Sequence, residues 1–387
     1  MATTAPPRDA PPKAPLKTKA ERFWFRVSAG LEVNQLWSQF EKDARSSYRF
    51  YSADLGGELE GLSGFRRITH IAKTLFWAIM EKLSPARRVL LLFGLIFLFL
   101  PTGGFSYGKA GQVYAVEFDP HFWGGLLLLL VLLLELADRV VMKRDLEIAR
   151  DIQTWLLPGA PLQLPGFQIA YATRPMNTVA GDYYDVILRP GETRSDDRVL
   201  FVVADVAGKS IPAAMLMATF QASLRTLSAS NVGLQELVSR LNRYACSNSQ
   251  GGARFTTAFF AELDPATGVI VHLNAGHNAP ILRRSSGVIE RLETGGMPLG
   301  MFPDATFENA ISTLGAGDLL VVFTDGVVEA INAKGEEYGE PNLVRTIDSG
   351  FSGPPSEILR TLLANLDLFV GNVPQHDDMT CLLLKRN

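Results

Sequence analysis

In the stretch FVVADVAGKSIPAAM, residues 201–215, an apolar run of strand type ends at Asp205, and Gly208-Lys209-Ser210 follows just before a helix-like pattern. This is the outline of a phosphate-binding P-loop, which needs a glycine five residues before the glycine of Gly-Lys so that backbone N–H groups can curl around the anion. Val203 occupies that position, inside the extended run, so the loop is too short to wrap a phosphate. It carries a carboxylate instead. A carboxylate repels phosphate unless a cation lies between, and Asp205 therefore points to a metal site. Asp182 in VAGDYYD, Asp325 after LLVVFT, and the adjacent Asp377 and Asp378 in QHDDMT lie at similar boundaries of apolar runs. Singly, each reads as a turn former or helix cap. Drawn to one edge of a sheet stack they would repel, at a cost on the order of 4 kcal/mol for a pair about 4 Å apart at an effective dielectric near 20. Such a gathering makes sense around cations, and all-oxygen donors select hard ions such as Mg2+ or Mn2+. Two ions sharing a carboxylate would clamp a phosphoryl group and turn a bound water into a nucleophile.

The carboxylates need a scaffold whose apolar strands end on one side. From Leu162 onward, short β-branched runs such as FQIAYATRP, RVLFVVAD, TTAFFAELD, GVIVHLNAG and MTCLLLK alternate with Gly, Asp and Asn turns. Helical patterns fall at residues 213–229, 234–245 and 355–368. Antiparallel hairpin cues, Asp264-Pro265-Ala266-Thr267-Gly268 among them, favour an α+β sandwich over a doubly wound parallel sheet.

With 387 residues, 47% hydrophobic and 20% charged, the chain can build one large or two moderate domains. A net charge of -3 leaves no basic footprint for nucleic acid. Cys246 and Cys381 are far apart and outside any metal-ligand spacing, which excludes a disulfide scaffold and a zinc site and suits a reducing compartment. Cysteine-phosphatase chemistry is excluded too, because it needs an arginine six residues after the thiolate and Gly252 follows Cys246 at that distance.

The N-terminal part has another character. Residues 1–20 hold five prolines among Thr, Ala and Lys and read as a disordered tail, with no cleavable signal peptide. Residues 21–88 read as a cytoplasmic helical region. Two uncharged runs, residues 89–104 and 122–134, predict a transmembrane hairpin over 89–137, although each is shorter than the roughly 20 residues of a full crossing. Arg87 and Arg88 before it, and Arg139, Lys143 and Arg144 after it, place both ends in the cytoplasm and the loop 101–121 outside. The expectation is thus a multi-pass protein of the cell membrane. Residues 138–158 continue as a linker helix, where Ala137 just before it and Val141, Ile148, Ile152 and Trp155 within it fall on one stripe that could pair with a second copy as a homodimer or pack on its own domain.

In order and approximate spacing, VAGDYYD, VADVAGKSIPAAMLMA, FTTAFFAELDPATGVIVHLNAGHNAPIL, GMPLGM, LLVVFTDGVVEA and DDMT resemble the metal-dependent serine/threonine phosphatases related to protein phosphatase 2C (PPM type), in the bacterial branch typified by SpoIIE and RsbU. The likeness covers residues 147–387, and ARDIQTWLLP is similar to the helix that leads into that domain. It implies that residues 159–387 form an α+β sandwich of two antiparallel β-sheets flanked by helices. It also implies that two Mn2+ or Mg2+ ions activate a water for in-line attack on phosphoserine or phosphothreonine. By position, Asp205 is similar to the carboxylate shared by both ions, with the Val206 carbonyl beside it. Asp325 and Asp377 look like further ligands of the first ion, and Asp182 like the acid that holds waters of the second. The implied substrate is a phosphorylated regulatory protein resembling an anti-anti-sigma factor. A catalytically silent scaffold of the same fold is the alternative, and loss of an acidic ligand would favour it.

Three departures from the pattern bear on the site. Ala180 and Ser210 stand where Gly is usual, and Ser210 with Pro212 reads as a helix N-cap and first-turn pair. No arginine matches the phosphate-binding one of the eukaryotic branch. Lys209 and Arg254 are the available substitutes, though each also reads as a solvated loop cation. His277 in NAGHNAP has the chemistry of a general acid, but a His in an Asn/Gly turn reads first as a turn hydrogen-bonder.

Overall fold

The computed structural model describes residues 73, 76, 77, 80–109, 112–191, 197–230, 232–249 and 254–387. The proline-rich tail and most of the expected helical region 21–88 lie outside the described residues. The chain divides into two compact units, Met1–Ala137 and Asp138–Asn387.

In the first unit, helix α1 (Pro85–Phe99) is followed by strands β1 (Gly103–Lys109) and β2 (Gln112–Phe118) and by the opening of helix α2 (Pro120–Leu156). The segment expected as a plain loop is a β-hairpin, paired in register from Gly103 opposite Phe118 to Lys109 opposite Gln112. Gly94 and Gly124 let the two helices touch, since a Cβ on Gly124 would come within 2.9 Å of the Gly94 carbonyl oxygen.

The transmembrane hairpin and the multi-pass localisation are corrected here, because no helix among the described residues is long and apolar enough to cross a membrane. The 15 residues of α1 reach about 22 Å at 1.5 Å per residue, against a hydrocarbon core of about 30 Å. In α2 the uncharged run stops at Glu135, which accepts a hydrogen bond from Arg87 Nη1 at 3.2 Å. Run length and flanking charge suggested a span that the helices do not provide.

The second unit continues through β3 (Phe167–Arg174), β4 (Tyr183–Arg189), β5 (Arg198–Val206), α3 (Ile211–Ser228), α4 (Leu234–Asn248), β6 (Thr256–Leu263), β7 (Val269–Ala275) and β8 (Ile281–Arg283). It ends with β9 (Ile289–Arg291), β10 (Gly295–Gly296), β11 (Ala310–Thr313), β12 (Leu319–Phe323), α5 (Asp325–Val328), α6 (Gly339–Gly350), α7 (Pro355–Val370) and β13 (Met379–Arg386). One sheet has the order β10-β7-β6-β5-β4 with β11 also on β7, and the other β3-β13-β12-β8-β9.

Strand β5 shows how the layers assemble. Val199, Phe201 and Val203 enter the core between the sheets with Leu320, Val322, Leu382 and Leu384. The alternate residues Leu200, Val202 and Ala204 pack outward on Met217, Leu224, Leu237 and Leu241 of α3 and α4. The second sheet does the same, with Leu319, Val321, Phe323 and Leu383 under Leu343, Ile347, Ile358 and Leu362 of α6 and α7. Strands covered on both faces are apolar at every position, which is why these runs show no alternation. Each fully buried aliphatic side chain contributes about 1.5–3 kcal/mol, and the layers hold the strand ends rigidly in place.

Ser210 departs from its expected capping role. It has φ 63° and ψ -145°, and its side chain makes no capping hydrogen bond to α3. Among the described residues it is the sole non-glycine with positive φ, in a region that glycine alone occupies without strain. The Gly208-Lys209-Ser210 turn is therefore bent as a glycine-rich loop would be.

Candidate active site

Antiparallel pairing gathers the acidic residues. Tyr183 of β4 lies opposite Ala204 of β5, so Asp182, just before β4, and Asp205, near the end of β5, share one end of the first sheet. Phe323 of β12 lies opposite Cys381 of β13, so Asp325, opening α5, and Asp377, two residues before β13, share an end of the second. Thr324 joins the two groups. Its Oγ1 donates to Asp182 Oδ2 at 2.9 Å and accepts the Thr380 backbone N–H at 2.9 Å. The Val206 carbonyl is beside them, since a Cβ on Gly181 would meet it at 3.1 Å. Sequence reading missed Thr324, for nothing local in FTDG says that its hydroxyl crosses between sheets.

Asp377 and Asp378 have separate tasks. Asp378 accepts the backbone N–H groups of Met176 and Gly181, both at 2.6 Å, and so anchors the loop that carries Asp182. Asp377 is partly exposed, and Lys209 Nζ lies 3.0 Å from its Oδ2. Gly326 makes the crowding possible, because a Cβ there would come within 2.0 Å of the Asp378 carbonyl oxygen.

A further clamp comes from α2. The Gln153 amide donates to the Ala180 carbonyl at 2.7 Å and accepts the Ala180 N–H at 2.9 Å. The IQ of ARDIQTWLLP thus fixes the backbone two residues before Asp182. Asp185, the second acid of VAGDYYD, is fully buried and paired with Arg225 Nε and Nη2 at 2.8 and 2.9 Å. It is a structural anchor between β4 and α3.

The electrostatics agree with a gathering of like charges. Burial and the charge of Asp205 hold the Asp182 carboxyl well above the usual carboxylate range, against hydrogen bonds from Thr380 and Thr324. Burial, then the charges of Asp325, Asp377 and Asp378, push Asp205 up to about 7. Burial and Asp377 also raise Asp325. In each case the folded chain binds the proton more tightly than the unfolded one, and for Asp205 the native state carries the extra proton between the ordinary carboxylate range near pH 4 and about 7. Stability contributed by this site therefore falls as pH rises through that window. Without metal, the chain is expected to melt several degrees higher at pH 5 than at pH 8 from this cause. Thermal melts in EDTA measure it, and a midpoint that climbs over the same interval contradicts it.

Four aspartates and a backbone carbonyl offer oxygen atoms only, which fits a hard divalent cation. Among the described residues, however, no three acidic, His or Cys side chains already converge into a group that could hold a metal ion. The other candidate residues fall elsewhere. Arg254 lines a small cavity with residues of α3 and α4, such as Phe220 and Leu241. His277 is buried, with ring Nδ1 3.0 Å from Thr257 Oγ1 and its backbone N–H donating to Asn274 Oδ1 at 2.7 Å. Burial lowers its ring to about 4, so it is neutral at pH 7 and ill suited to act as an acid. Burial also pushes the Cys381 thiol up to about 12, far from a reactive thiolate.

Residues 195–387 match the family model described as Stage II sporulation protein E (SpoIIE). The chain is similar to Protein IcfG of Synechocystis sp., at 30% identity over 274 residues that cover 64% of this chain and 42% of IcfG. It is also similar to phosphoserine phosphatase RsbU of Bacillus subtilis (strain 168), at 26% identity over 246 residues, 63% of this chain and 71% of RsbU. The chain thus spans less than half the length of IcfG. Among solved structures it is similar to the SiaA-PP2C domain of Pseudomonas aeruginosa, with a TM-score of 0.57 and 20% identity over 65% of this chain and 99% of that one, which shows a common fold.

Proposed function

The chain carries a SpoIIE-type phosphatase domain with the PP2C fold, and on that premise we propose that it hydrolyses phosphoserine or phosphothreonine on a regulatory protein. The observation that carries this reading is the gathering of Asp182 and Asp205 at one sheet end and Asp325 and Asp377 at the other, joined through Thr324 between Asp182 and Thr380, with the partly buried Asp205 held at about 7 by desolvation and by the charges of Asp325, Asp377 and Asp378. Carboxylates that repel one another to this extent suit a site completed by cations. Asp182, Asp205, Asp325, Asp377 and the Val206 carbonyl would hold two Mn2+ or Mg2+ ions. When bound, such ions supply an acidified water as nucleophile and neutralise phosphoryl oxygens.

The protein's own part is to position. Thr324 and Asp378 fix Asp182 and its loop, so little reorganisation is left to the moment of reaction. Neither cysteine is placed to act as a nucleophile, which favours direct attack of water without a covalent enzyme intermediate. Phosphoserine as the group hydrolysed fits the likeness to phosphoserine phosphatase RsbU. Along α2, Val141, Ile148, Ile152 and Trp155 are exposed, Trp155 by 81%, which supports pairing of this helix with a second copy.

Hydrolysis of p-nitrophenyl phosphate and of a phosphoserine peptide mixture by the full chain tests the reading. Turnover is expected with Mn2+ and none with EDTA. No turnover in either, with no Mn2+ bound, favours a silent scaffold.

A further inference from the structure

Lys209 is the cation placed to serve this site. Its Nζ lies 3.0 Å from Asp377 Oδ2 and donates to the His376 carbonyl at 2.7 Å. The side chain is 54% exposed, and its four-carbon stem can swing without backbone movement. Beside the ion pair opens a cavity of about 170 Å³, lined by Lys209, Glu329, Gln375, His376 and Asp377 among others. The other cations have different employment. Arg174 is engaged by both carboxylate oxygens of Asp367, at 2.5 and 3.1 Å. Arg225 is held by Asp185, and Arg254 lines the cavity against α3 and α4.

Two features limit what Lys209 can do where it stands. Its ammonium lies 3.0 Å from Asp377 Oδ2, an oxygen that this carboxylate would offer a divalent ion, and among the described residues no three-ligand group is ready to hold one. The neighbouring cavity has carboxylates at Glu329 and Asp377, so a phosphate entering it meets repulsion while Lys209, the cation on its wall, stays paired with Asp377. Resting on the phosphatase reading above, we propose that Lys209 exchanges partners: it neutralises Asp377 in the metal-free chain, and when a divalent ion takes that carboxylate it turns into the cavity and binds the phosphate of the substrate. Lys209 is then both a competitor of the metal and a catalytic residue in contact with substrate.

The two roles predict opposite effects of one substitution. Mn2+ binding to the full-length chain is measured by titration calorimetry, without turnover, for wild type, Lys209→Met and Lys209→Arg. Competitive inhibition of p-nitrophenyl phosphate hydrolysis by inorganic phosphate is measured on the same proteins. Lys209→Met is expected to bind Mn2+ about fivefold more tightly, the scale of one partly exposed ion pair. It should also need about tenfold more phosphate for inhibition, the scale of one charged hydrogen bond. Lys209→Arg keeps the charge and should restore both values to near those of wild type. A merely structural lysine would weaken metal and phosphate binding together. Wild type that binds Mn2+ with an affinity unchanged in Lys209→Met, or a phosphate inhibition constant unchanged in it, overturns the proposal alone. A wild-type chain that binds no Mn2+ overturns the phosphatase reading and this proposal with it.

Discussion

Asp205→Asn is expected to reduce turnover by on the order of 10³-fold or more while leaving the fold intact. The carboxylate ends β5, with its backbone held in register opposite Thr257 of β6, so an amide of equal size fits the same place. What disappears is the negative charge on which the proposed cations depend. Loss of several kcal/mol of charge stabilisation in the transition state corresponds to that factor. The same substitution removes a group whose ionisation is opposed by burial and by Asp325, Asp377 and Asp378. The metal-free variant should therefore melt a few degrees above the wild type at pH 8. Kinetics with saturating Mn2+ and a thermal melt in EDTA, on one preparation, read both effects. Activity within tenfold of wild type would remove Asp205 from the centre of the site. Loss of activity with a lowered melting point would show damage to the fold instead.

What could be read without the structure follows from how local the physics is. The runs before Asp205 and Asp325 are apolar at every position because both of their faces are covered, and an Asp that stops such a run is visible in one dimension. Antiparallel pairing then brings the two run ends together with the run starts after Asp182 and Asp377. Contacts over long sequence separations leave no such trace. Thr324 reaches Asp182 across 142 residues, and Gln153 clasps Ala180 across 27, yet each looks like an ordinary polar residue. Asp182 and Asp185 differ only in environment: the first faces other carboxylates, and the second meets Arg225. Helix α6 escaped because its buried positions, Leu343, Thr346 and Ile347, are too few to display a period. The membrane hairpin failed for the opposite reason. Local hydrophobicity was strong, but helix length and the Glu135 to Arg87 contact decided against it.

Arg225→Met is expected to destabilise the domain by about 3–5 kcal/mol, because it strands a carboxylate that has no access to water. Asp185 is fully buried, whereas Arg225 is 47% exposed on its side chain. The two halves of the pair are therefore unequal. Removing the arginine leaves a buried charge held by the Tyr183 hydroxyl and the Val186 backbone N–H alone among the described residues. Removing the charge of the aspartate leaves an arginine that can turn to solvent. For a domain of this size the first change should lower the melting temperature by about 10 °C, and Asp185→Asn by distinctly less. The double variant Asp185→Asn with Arg225→Met should regain much of the loss, since a neutral amide needs no counter-ion, and the coupling between the two changes should exceed 1 kcal/mol. Because the pair ties β4 to α3, the helix that opens directly after the Lys209 loop, metal-free stability should suffer more than turnover at saturating Mn2+, where ligand binding offsets the loss. Additive melting shifts in the three proteins would mean that the Asp185 to Arg225 pair contributes no coupling, and that β4 and α3 are held by packing of Tyr183 on Phe220 rather than by charge.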